Sequence, residues 1–147
     1  MTKAKGQRPQ RELLSRYGRI TSWYASLSVR ADRPRGHPPG RESRASILFE
    51  GEFTEAVRGV ARFLIQVSPT EKPDIGNAVV PNVGAFISVK PELQGMVDVT
   101  ECEFQRLLTI SASGRVAWCF VAFTVPFYRS ALIVSIDFST RALDGGE

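Results

Sequence analysis

The sequence predicts a mainly β or α+β domain, with a largely antiparallel sheet of about six strands that is curled or split into two layers. One helix, near residues 100–110, is inserted before a C-terminal hairpin, and a short basic helix or arm opens the chain. Three observations carry this reading. Apolar and polar residues alternate with a period of two in a series of short stretches. Clusters of Pro and Gly interrupt the chain between those stretches. Only one segment, after Asp98, combines helical spacing with a helix-start signature.

Residues 1–10 mix Lys, Arg, Gln, Gly and Pro without periodic apolar positions, the composition of a disordered arm. Leu13, Leu14 and Tyr17 suggest a short helix over about 11–17, with Gly18 as its stop. The expected organisation is thus a basic arm over 1–18, a single β-rich domain over 19–140 and a polar tail over 141–147.

The first strand is expected over Arg19–Arg30. There Trp23, Ala25, Leu27 and Val29 alternate with Tyr24, Ser26, Ser28 and Arg30, so one face is apolar and the other polar. Residues 31–44, with three Pro and two Gly, read as a long connection. Ser46–Thr54 alternates again, with Ile47, Phe49 and Phe53 on one face and Glu50 and Glu52 on the other. Gly51 falls among the inward positions and signals a bulge or a bulky neighbour. Val60–Ser68 repeats the pattern, and the short 55–59 link implies a hairpin that sets Glu50 and Glu52 across from Arg62.

Residues 69–83 read as a second long loop, and Ala85–Val89 as a brief strand. In the helix, expected over Asp98–Ile110, Thr100 and Glu103 form the S/T-x-x-E capping box, while Phe104, Leu107 and Leu108 make an apolar stripe. The final third outlines a hairpin of Arg115–Val125 with Ala131–Ser139, joined through 126–130. Leu132, Val134, Ile136 and Phe138 are expected to share one face. The partner strand is apolar on both faces, which predicts cover on both sides.

Composition narrows the function more than it names it. A chain of 147 residues with 43% apolar and 23% charged residues suits one domain that needs no disulfide or metal staple. No apolar leader opens the chain, and the uncharged apolar run Val116–Tyr128 is too short to span a bilayer. Hence a cytoplasmic location and no membrane insertion are expected. Cys102 and Cys119 lack a CxxC partner. Free thiols are the expectation, with a disulfide between the two as the alternative that helix-on-strand packing would allow. The single histidine and the scattered cysteines give no metal-ligand spacing, so no metal is expected. No phosphate loop or nucleophile elbow occurs, and no cofactor or catalytic constellation is expected. Asp137 interrupts an apolar strand, and alternation turns it outward.

Charge is the main functional lead. Residues 1–44 carry eleven Lys/Arg against three acids, whereas 45–147 carry eight bases against twelve acids. Opposite charges separated this far along the chain belong to different surfaces. Three readings follow. The first is a non-enzymatic binding or assembly module, which pairs exposed sheet edges with protein partners or with itself. The second is nucleic-acid or polyanion binding through the arm and the 31–44 segment, using Arg30, Arg33, Arg35, His37, Arg41 and Arg44, because arginine makes forked contacts to phosphate. The third is a small-ligand carrier or unusual enzyme with a pocket lined by Phe104, Trp118, Phe120 and Phe123.

Overall fold

A computed structural model describes residues 12–32, 35–36, 40–70 and 81–141. The seven strands are β1 (Leu13–Asp32), β2 (Gly40–Val57), β3 (Val60–Pro69), β4 (Gly84–Ser88), β5 (Leu93–Val99), β6 (Trp118–Thr124) and β7 (Ala131–Ser139). A single helix, α1 (Glu101–Gly114), lies between β5 and β6. The strands close into one barrel in the order β1-β2-β3-β5-β4-β7-β6, with β6 returning to β1. The mainly β character with one helix before the last hairpin therefore stands, while the two-layer sheet of six strands does not.

Closure follows from strand lengths and from residues that the sequence pattern under-weights. Leu13–Arg19, the segment expected to be helical as far as Tyr17, is instead the stretch of β1 that pairs with β6. Leu14 tucks against the core, and Tyr17 packs at a tilt against Phe120 with ring centroids 4.6 Å apart. Leu93–Val99, where Gly95 and Asp98 mask the alternation, pairs in parallel with β3, from Phe63↔Leu93 to Pro69↔Val99. This one parallel contact joins the β1-β2-β3 meander to the β4-β5 hairpin.

Small barrels are filled by their inward side chains. Ile47, Phe49, Phe63, Ile65, Phe86, Leu93, Cys119, Val121, Phe123 and Ile133 are buried inside this one. Its centre is aromatic: Phe53 lies 4.6 Å from Phe63, and Phe86 meets Phe123 edge-on at 5.2 Å. Gly51 makes room for this cluster, since a Cβ there would sit 2.7 Å from the Phe63 ring and 2.0 Å from the Arg19 carbonyl oxygen. The bulky neighbour expected at Gly51 is Phe63, and the bulge lies in the facing strand, where the register slips between Ile20 and Ser22.

A second slip, between Ala122 and Phe123, corrects the reading of the last strand. Ala131 and Ile133 point inward before it and Ile136 and Phe138 after it, so Leu132 does not share their face. Asp137 is exposed, as alternation predicts. Arg58 and Gly59, both at positive φ, form the two-residue turn of the β2–β3 hairpin, whose twist matches its strands. Arg62 pairs with Glu52 in register and reaches Glu92 at 3.3 Å and Glu50 at 3.8 Å.

The helix starts where its capping box predicts. Glu103 donates its backbone N–H to Thr100 Oγ1 at 3.1 Å, and Thr100 donates its own to Glu103 Oε1 at 2.8 Å. It runs one turn beyond Ile110, to Gly114, and Arg115 caps it in the left-handed conformation. Both cysteines are free, Cys102 exposed on the helix and Cys119 buried in the barrel.

Candidate functional site

β1 and β2 outrun the barrel. β6 follows β1 only as far as Arg19, and β3 follows β2 only from Ile47 onward. The two strands nevertheless stay paired with each other out to Asp32↔Gly40. Residues 31–32 and 40–44, expected as loop, are therefore the outer rungs of a two-stranded ribbon. Beyond Trp23 its β1 side reaches about 30 Å at about 3.3 Å per residue.

Alternation sorts the ribbon's side chains onto two faces. One face carries Trp23, Ala25, Leu27, Val29 and Ala31 from β1, opposite Phe49, Ile47, Ala45, Ser43 and Arg41 of β2. It continues the barrel core, since Trp23 packs on the buried cluster and lies 6.4 Å from the Phe49 ring. Further out the cover ends, leaving Leu27 69% and Val29 45% exposed. The other face carries Tyr24, Ser26, Ser28 and Arg30 opposite Leu48, Ser46, Arg44 and Glu42. Ser26 and Ser46 share a hydroxyl hydrogen bond at 3.1 Å, and Arg44 pairs with Glu42 at 3.1 Å along its own strand.

This sorting divides the expected polyanion set. Arg30 and Arg44 lie on the polar face, Arg41 on the apolar one, and Arg35 in the exposed turn at the tip. Arg33 and His37 lie outside the described residues. The aromatic pocket set is divided as well. Phe123 is inside the barrel, Trp118 and Phe120 are half-buried on its outer wall, and Phe104 is buried beneath α1. No single cavity among the described residues gathers these four.

What the fold builds instead is a groove of about 1040 Å³ between the ribbon and the helix. Ala25, Leu27 and Ala45 form one wall, with Phe104 and Leu108 on the opposite side. β3 and β5 end together there, with the Thr70 N–H donating to the Val99 carbonyl at 2.8 Å, so α1 begins at the ribbon end of the barrel. Glu101 stands at the groove on the helix side and Arg44 on the ribbon side. At the opposite end of the barrel, Phe127 and Tyr128 project from the β6–β7 turn with rings 4.5 Å apart, and Arg58 holds that turn by donating to the Pro126 and Tyr128 carbonyls.

Comparison with protein-family models, curated proteins and solved structures returns no match. The chemistry of the site therefore rests on the residues alone. Among the described residues no three metal-ligating side chains converge, and no helix is long and apolar enough to cross a membrane. The exposed apolar face of the ribbon escaped sequence reasoning because alternation distinguishes two faces without saying whether anything covers either. The signal available was length, since the 19–30 alternation extends well past what a short barrel strand needs.

Proposed function

We propose that the protein is a non-enzymatic assembly module that docks on protein surfaces, its own among them, through the β1–β2 ribbon. One observation carries the reading: Leu27 and Val29 stand exposed on a ribbon that has left the barrel behind. A two-stranded hairpin is marginal in water unless its apolar face is packed against something. Burying each of these side chains fully contributes about 1.5–3 kcal/mol, so a partner surface is the natural cover. Among the described residues no further strand pairs with the ribbon's outer edges, which adds open backbone groups to the same element.

A second reading, polyanion binding, draws on Arg35 at the exposed tip and on Arg30 and Arg44 sharing the polar face. A two-stranded ribbon also has the width of a DNA groove. Against it, Glu42 faces Arg30 across the strands and already engages Arg44.

Light scattering on the full chain, from micromolar to several hundred micromolar, separates the two. Docking through the ribbon predicts mass that rises with concentration and falls back to the monomer in the Leu27→Asp/Val29→Asp variant, with the melting transition of the barrel retained. A monomer at every concentration, together with salt-sensitive binding of a labelled oligonucleotide, overturns self-docking in favour of the polyanion reading.

A further inference from the structure

Resting on the docking reading, we propose that the partner is a second copy of this chain, joined through the free edge of β2 over Gly40–Ser46 in an antiparallel register centred on Ser43. Among the described residues the edge is open, because β3 pairs with β2 only from Ile47 onward and then follows β5. On that side Ser43, Arg44, Ala45 and Ser46 line the groove that separates the ribbon from the helix. Two identical edges that pair antiparallel about a two-fold axis make a closed, self-complementary contact, the commonest geometry of homodimers.

The register comes from charge. With Ser43 opposite Ser43 of the second copy, Glu42 of each faces Arg44 of the other, and Arg41 faces Ala45. Opposite charges across antiparallel strands attract, whereas like charges directly opposite repel. A slip that centres the pairing on Glu42 sets two carboxylates against each other, and one centred on Arg44 sets two guanidinium groups together. Both neighbouring registers are thus disfavoured, as a specific interface requires. The Glu42 and Arg44 side chains already lie on one face, 3.1 Å apart, and are largely exposed. They can therefore exchange their pairing along the strand for two pairings across the interface. Val29 and Leu27 sit directly behind Ser43 and Ala45, so joining the edges also merges two apolar stripes into one four-stranded surface. The β1 edge over Tyr24–Val29 has no charged residue, and nothing there selects a register.

The test uses two single variants of the full chain, Glu42→Arg and Arg44→Glu, followed by sedimentation equilibrium. Each variant alone sets like charges opposite one another at both pairs and should weaken self-association about tenfold or more. Mixed in equal amounts they restore both opposite-charge pairs, so the mixture should recover association as a heterodimer. As an independent check, Ser43→Cys in a Cys102→Ser background should give a disulfide-linked dimer with oxidised glutathione, while Ser46→Cys should not. Association that persists unchanged in both single variants, or that mixing fails to restore, overturns this register while leaving ribbon docking intact. A wild-type chain that stays monomeric at every concentration overturns this register and self-docking through the ribbon together, and makes the charges on β2 guards against edge pairing.

Discussion

Cys119 shows how a single residue reports on the barrel. Its side chain is buried between β1 and β7, and burial pushes its thiol up from 9.0 to about 12, a rise that a hydrogen bond from the Gly18 backbone only partly offsets. The folded state therefore holds the proton more tightly than the unfolded chain does. This contribution to stability is complete below pH 9.0 and is lost as pH rises from there toward about 12. The expected slope is about 1.4 kcal/mol per pH unit. Urea unfolding of wild type and Cys119→Ala over that range should differ by this slope, and parallel curves would contradict it. In the native protein a thiol reagent should modify exposed Cys102 and leave Cys119 untouched. Gly51 makes a related point, since its missing Cβ is what lets Phe63 occupy the interior. The sequence marked that glycine as meaningful, but the identity of the ring filling its space belongs to the tertiary fold.

At the scale of elements, local chemistry was legible and lateral pairing was not. The capping box at Thr100 and Glu103 placed the start of α1, because a helix N-terminus satisfies its own N–H groups with nearby side chains. Thr100→Ala should cost about 1 kcal/mol, measured by denaturant unfolding, and should loosen the helix wall of the groove. The hairpins β2–β3 and β6–β7 were readable for the same reason, as each is closed by a short turn. β5 was missed because Gly95 and Asp98 disguise a strand whose support comes from a parallel neighbour far away in sequence. Leu13–Gly18 misled in the opposite direction: three apolar residues at helical spacing were drawn into the ladder by β6. The bulges in β1 and β7 shift alternation by one residue, and only pairing reveals such a shift. Of the candidate site, the arginines were visible and the ribbon was not. Pro and Gly near the tip made all of 31–44 look like loop, although the strands hold their pairing out to Gly40.

For the whole molecule, charge and shape point the same way. The excess of eleven bases over three acids lies in residues 1–44, which include the outer ribbon, whereas residues 45–147 carry twelve acids against eight bases. The barrel needs nothing from the ribbon's outer half to close, because β6 and β3 have already left it. In the docking reading proposed above, contact with a partner is what a long, half-apolar ribbon is for. Amide hydrogen exchange of the full chain at low and at high protein concentration tests this most directly. The account predicts that protection over residues 40–46 rises with concentration while the barrel amides keep their rates. Equally fast exchange of 40–46 at both concentrations would contradict it.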